Sequence, residues 1–112
     1  MQDCLFCKIV SGDIPSNKVY EDDAVYAFTD VDPKAPVHVL IVPRAHMQDM
    51  TDADAPAVSA AMFRAAAHIA QQMGLKERGF RCVINTGQDG GQTVPHLHMH
   101  LLGGRALGWP PG

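Results

Sequence analysis

"QTVPHLHMHLL", residues 92–102, carries three of the chain's six histidines at alternate positions, His96, His98 and His100. Alternation is the period of a β-strand, whose successive side chains point to opposite faces. Read as a strand, the run sets three imidazoles on one face. Leu97, Met99 and Leu101 fall on the other, where they can pack on a core. Strand residues two apart lie roughly 6.8 Å from each other, so the row would span about 14 Å. Zinc holds its nitrogens at about 2.0–2.1 Å, so three histidines on one straight strand strain to share an ion. A division of labour suits the spacing better. Imidazoles titrate near neutral pH and serve as nucleophiles, proton carriers and ligands, whereas strand interiors favour β-branched and aromatic residues. The row therefore reads as chemistry.

The segments around the row read as a small sheet. "GQDGGQT" (87–93) is a glycine-rich turn whose backbone N–H groups are open to an anion such as phosphate. "FRCVIN" (80–85) before it is strand-like, with Cys82 expected to be a small buried hydrophobe. The turn is too short for a crossover helix, so the two strands pair antiparallel. "KVYE" (18–21) and "AVYAFTD" (24–30) read as a hairpin around Asp22 and Asp23. "DPKAP" (32–36) is loop chemistry, and "VHVLIV" (37–42) is a strand stopped by Pro43. One long helix follows Thr51 or Asp52 as N-cap, with acidic residues near its first turn. Its apolar stripe is Val58, Met62, Ala65, Ile69 and Met73, and Gly74 ends it. "CLFCKIVSG" (4–12) makes a short N-terminal helix. The expected fold is α+β, an antiparallel sheet of about five strands backed by one long helix, in a single domain over 1–112.

Composition narrows the function classes. A net charge of -3, with Lys and Arg scattered, gives no general drive toward polyanions, so no nucleic-acid partner is expected. No apolar run approaches the roughly 20 residues of a membrane span, and no secretory leader is visible. A cytoplasmic protein is the simplest expectation. Three cysteines, Cys4, Cys7 and Cys82, do not make a disulfide framework in a reducing compartment. Cys4 and Cys7 form a C-x-x-C, a spacing that suits a zinc pair or a redox dithiol. The redox motif belongs in a βαβ unit, so zinc ranks ahead.

With these motifs in view, the chain resembles the histidine triad superfamily of nucleotide hydrolases and transferases. "HLHMHLL" matches its H-φ-H-φ-H-φ-φ signature, where φ is apolar. "FCKIVSGDIPSNKVYEDD", "AFTDVDPKAPVHVLIVPRAH" and "INTGQDGGQTVPHLHMHLLGGRALGWPPG" resemble its Hint branch, the final "WPPG" most distinctively. The resemblance covers essentially the whole chain. It implies an antiparallel sheet with a long helix, a homodimer, and hydrolysis of purine nucleoside phosphoramidates such as AMP linked to an amine. It makes His98 the nucleophile that forms a nucleotidyl-histidine intermediate. His100 would stand at the phosphate and scissile-bond side with His38 nearby, and Thr93 would bond phosphate oxygens or the leaving group. It assigns Asp30 to the ribose hydroxyls and Asn85 to the sugar-phosphate. Leu5, Phe6, Ile9, Phe28 and Val31 would surround the base. One arm of the superfamily carries a structural zinc, and Cys4, Cys7, His46 and His96 match its ligands, with no metal required for the chemistry itself. Pro95 departs from the Tyr common at that place in animal relatives and removes a ladder donor, so the strand entry there should differ. Cleavage of dinucleoside polyphosphates, the reaction of the Fhit branch, is the nearest alternative. A nucleotide-binding adaptor with incidental catalysis, and a zinc hydrolase ligated by the row, are the others.

Overall fold

The computed structural model describes residues 3–112. Its elements run in the order α1 (Leu5–Ser11), β1 (Lys18–Glu21), β2 (Val25–Thr29), β3 (Val37–Pro43), α2 (Ala55–Gln72), β4 (Phe80–Val83) and β5 (Met99–Gly103). The five strands form one sheet in the order β1-β2-β3-β5-β4, with every neighbouring pair antiparallel. The fold is α+β, as the periodicities require. Among the described residues no helix is long and apolar enough to cross a membrane.

Strand alternation separates two cores. Val25 and Ala27 of β2, Val39 and Ile41 of β3, and Met99 and Leu101 of β5 point to the α2 side and are buried there. On the helix, Ala61, Met62, Ala65, Ala66, Ile69 and Ala70 recur at three- and four-residue steps. Small residues at four of these positions let the helix lie close to the sheet. The other face carries Phe28, Leu40 and Val42, which pack on Phe6 and Ile9 of α1. This smaller core, the two strands flanking it and α1 build the candidate site.

Several boundaries differ from the sequence reading. The long helix begins at Ala55 rather than after Thr51 or Asp52, and its N-cap Asp54 makes no side-chain capping bond. The preceding chain makes two local turns instead: the Thr51 N–H donates to Asp49 Oδ1 and the Asp54 N–H to Asp52 Oδ1. Such Asx turns compete with helix, and Pro56 then sits at the helix start, where its missing N–H costs nothing. Met73 is the C-cap and largely leaves the stripe; Gly74 follows with a φ of 71°. Cys82 is exposed. It faces the helix side of the sheet opposite Leu101, but β4 is an edge strand, and α2 packs mainly across β1, β2 and β3.

The histidine row departs most from a straight strand. Only His100 lies within β5; residues 94–96 form a bend, as the proline at 95 foreshadows. Alternation of side survives, because Leu97, Met99 and Leu101 all enter the large core while His96 and His98, also buried, do not.

Candidate active site and metal centre

The bend gives the three histidines of the row different neighbours. The Leu97 N–H donates to the Met47 carbonyl at 2.7 Å, which draws the loop after β3 against the row and sets the His46 ring 5.0 Å from that of His96. His96 is fully buried, and its Nε2 lies 2.9 Å from the Pro43 carbonyl. A carbonyl only accepts, so Nε2 carries the proton and Nδ1 keeps its lone pair. That lone pair faces the Cys4 Sγ at 3.2 Å and the Cys7 Sγ at 3.6 Å, while His46 Nδ1 lies 3.4 Å from the Cys7 Sγ.

His98 and His100 have their protons placed by the same argument. His98 Nδ1 stands 2.7 Å from the His96 carbonyl oxygen, so it must donate. In the neutral ring its Nε2 then holds the lone pair, without a hydrogen-bond partner among the described residues, on a side chain that lines the cleft. At the other histidines the chain begins with the Lys34 N–H, which donates to His38 Nδ1 at 3.0 Å. His38 therefore carries its proton on Nε2 and donates it to His100 Nδ1 at 2.9 Å. His100 in turn presents an Nε2–H. Two histidines two residues apart thus show opposite faces, one a lone pair and one a donor. Their ring centroids are 5.0 Å apart.

Burial holds the His38 imidazole below its ordinary range, against an upward pull from Asp30, whose Oδ2 lies 3.5 Å from His38 Nε2. His100 is pushed down to about 4 by burial first and then by the nearby His98 and His38 rings. Both are neutral at pH 7, as the hydrogen-bond chain demands.

Two chambers meet at this point. An apolar one, with a cavity volume of about 300 Å³, is walled by Leu5, Phe6 and Ile9 of α1 and by Phe28, Leu40 and Val94. A polar one, about 560 Å³, is lined among others by Asp32, Lys34, Asn85, Gly91 and Pro111. Asp30, Thr93 and His100 line both. This pairing of an apolar slot with a polar antechamber is the form of a site for an amphiphilic small molecule. Residues 11–107 match the HIT domain family.

The chain belongs to the HIT family. A purine nucleoside phosphoramidase of Escherichia coli (strain K12) is 47% identical to it over 109 residues, 96% of this chain and 92% of that relative. A 14 kDa zinc-binding protein of Brassica juncea is 45% identical over 114 residues, 98% of this chain and 100% of the relative. Among solved structures, a HIT family hydrolase from Legionella pneumophila Philadelphia 1 matches with a TM-score of 0.94 at 46% identity, covering 98% of this chain and all of that one.

Within this HIT fold, the residues singled out from sequence gather into two groups. His98, His100, His38, Thr93, Asp30, Asn85, Leu5, Phe6, Ile9, Phe28 and Val31 all border the two chambers, His38 and Asn85 on the polar side. Val31 is wholly exposed and stands at the rim rather than in the slot. Asp30 also shapes its own turn, since its Oδ1 accepts the Asp32 N–H at 2.8 Å. The glycine-rich turn commits three of its N–H groups internally, Gly87 to Gln92 Oε1, Gly91 to the Gln88 carbonyl and Gln92 to the Gly87 carbonyl. It leads directly to Thr93 at the cleft. Gly90 is required there for space, because a Cβ would sit 2.4 Å from the Thr86 carbonyl oxygen. Lys34 escaped the sequence reading because it acts through its backbone N–H; the one available signal was its place in a tight loop between Asp30 and His38.

Cys4, Cys7, His46 and His96 form the second group, with all donor atoms within 4.8 Å of one another. Tetrahedral zinc with bonds of about 2.3 Å to sulfur and 2.0–2.1 Å to nitrogen separates an S and an N ligand by about 3.6 Å. Three of the four sulfur–nitrogen distances, at 3.2–3.6 Å, are within a few tenths of that spacing. The Cys₂His₂ donor set, the ligand-ready Nδ1 of His96 and the Pro43 carbonyl behind it all fit zinc. Burial and then the adjacent Cys4 sulfur raise the Cys7 thiol above its ordinary range, a penalty that a bound cation reverses. The row itself does not converge on one ion: His96 turns its Nδ1 to the thiols, and His100 groups with His38 and Asp30 instead.

Proposed function

We propose that the chain is a hydrolase of purine nucleoside 5′-phosphoramidates that works through a nucleotidyl-histidine intermediate on His98. The observation that carries this reading is the fixed tautomer of His98. His98 lines the apolar slot, 5.0 Å from the ring of His100, which borders both chambers; a base in the slot and a phosphate beside His100 would bring phosphorus to the Nε2 lone pair. The phosphoramidase among the relatives points to the same substrate class.

His98 Nε2 forms a bond to the α-phosphorus. The P–N bond breaks with its electron pair going to nitrogen, which takes up a proton from solvent water and leaves as an amine. Water then attacks phosphorus, the P–Nε2 bond returns its pair to the imidazole, and the water proton passes to solvent. Splitting one displacement into two easier ones is the gain of covalent catalysis. His98 keeps its Nδ1–H on the His96 carbonyl throughout, so no proton need leave it. His100, neutral at pH 7, offers its Nε2–H to a phosphoryl oxygen as a hydrogen bond rather than as an acid. His38 positions His100. Thr93 bonds the phosphate or the leaving group from the rim shared by both chambers, Asp30 receives the ribose hydroxyls and Asn85 helps hold the sugar-phosphate. Cys4, Cys7, His46 and His96 would hold a structural zinc, whose contribution is to tie α1 to the row.

The functional unit in this proposal is a homodimer. β4 is an unpaired edge, and exposed edges call for cover. Phe63 of α2 is 70% exposed and Met50 54% exposed. Together with Met62, Ile84, Leu97 and Met99 they line an apolar hollow of about 320 Å³ beside that edge. A second copy would cover edge and hollow together. Phe63→Glu should convert a species of twice the chain mass into one of single mass by light scattering; a monomeric wild type would end this part of the reading.

Amine release from an adenosine 5′-phosphoramidate, with a dinucleoside polyphosphate in parallel, tests the activity. Wild type should release the amine and His98→Ala should not. Cleavage of the polyphosphate alone would move the assignment to that reaction.

A further inference from the structure

The slot wall and the thiol–imidazole tetrad share one short helix. α1 has seven residues, too few to hold its shape unaided. One side of it supplies Leu5, Phe6 and Ile9 to the apolar chamber. The other supplies Cys7 to the tetrad, while Cys4 caps it, its Sγ accepting the Cys7 N–H at 3.4 Å. Phe6 bridges the two regions edge-on, 5.9 Å from the His96 ring and 5.0 Å from the His98 ring. His96 bridges them again. Its imidazole faces both cysteines, and its carbonyl holds the Nδ1–H of His98.

We infer that the tetrad is a positioning site for the cleft: a tetrahedral divalent cation held by Cys4, Cys7, His46 and His96 and a nucleoside monophosphate in the chambers bind with positive coupling. The inference rests on the nucleotide reading of the cleft. Ligating His96 and both cysteines fixes α1 and the 94–96 bend, which sets the slot wall and the carbonyl that orients His98. A nucleotide pressing on Leu5, Phe6 and Ile9 stabilises the same placement. Binding free energies linked this way are reciprocal, and couplings between sites are commonly about 5–150-fold.

The test is calorimetric titration of AMP into zinc-loaded and chelator-stripped protein, with circular dichroism of the stripped form. AMP should bind about tenfold more weakly once the metal is removed. Equal affinity for the two folded forms overturns the coupling alone, whereas no binding to either form takes down the nucleotide reading beneath it. Where stripping unfolds the chain, cobalt-substituted protein decides instead. Its thiolate-to-cobalt absorption should shift as AMP saturates the cleft, and an unchanged band overturns the proposal. In Phe6→Leu, which keeps all four ligands, AMP affinity should respond less than threefold to the metal. A full tenfold response there would refute the bridge through the ring.

Discussion

Acidification tests the buried histidine pair directly. In the folded chain His100 stays neutral down to about pH 4, because burial strips water from the ring and the His98 and His38 rings oppose a further charge. In the unfolded chain it protonates near 6.5. Between these values the unfolded state holds more protons than the folded one, so stability falls as pH falls. The contribution is intact above pH 6.5 and is lost progressively down to about pH 4. At about 1.36 kcal/mol for each pKa unit the gap is worth at most about 3.4 kcal/mol. The ring is partly open to the cleft, and solvent screening brings the expected loss to about 2 kcal/mol. His38, also held low by burial, acts in the same direction. Urea unfolding at pH 7, 5.5 and 4.5 in wild type and His100→Gln, with the slope checked for constancy, isolates the effect. Metal loss in acid is common to both chains and cancels in the comparison of the two pH dependences. The variant should lose markedly less stability than wild type over this range. Parallel curves would mean that His100 is not held neutral, and the argument for its role as a donor would fall with it.

Gly90→Ala should lower kcat/KM by about tenfold or more, equivalent to about 1.4 kcal/mol, because the new Cβ meets the Thr86 carbonyl oxygen and the turn must shift under Thr93; unchanged kinetics in steady-state assays would show that the turn does not place that hydroxyl. Cys4→Ala should abolish stoichiometric zinc by elemental analysis and lower the thermal midpoint by more than about 4 °C, the shift expected from 1 kcal/mol in a domain of this size; no change in either would remove zinc from the account. Leu101→Ala, which empties a fully buried position between sheet and helix, should cost about 2–5 kcal/mol in urea unfolding; a cost near zero would contradict its place in the large core.

What the sequence made legible follows physical period. The β2 and β3 strands and the α2 stripe were readable because burial repeats every two or about 3.6 residues. The helix start at Ala55 was not, since "TDADAP" offers several capping residues and the choice among them depends on which turns close first. Cys82 was misjudged because strand chemistry does not reveal whether a strand lies at an edge. The membership of the cleft was legible through resemblance, residue by residue. The hydrogen-bond chain within it was not, because it depends on a backbone N–H of Lys34, which every residue but proline supplies, and on backbone carbonyls of Pro43 and His96, which every residue supplies.

Those backbone groups decide how the histidines differ. An amide N–H cannot accept and a carbonyl cannot donate. The Lys34 N–H therefore fixes the protons of His38 and His100, and the carbonyls of Pro43 and His96 fix those of His96 and His98. A straight strand would have given three equivalent rings on one face. The bend around Pro95 breaks that equivalence: it leaves His96 against the thiols and, in their neutral rings, His98 Nε2 as a lone pair and His100 Nε2 as a donor, neither with a partner among the described residues. The bend at residues 94–96 thus allows one row of histidines to serve two sites, and it makes the backbone of residue 96 the joint through which the sites communicate.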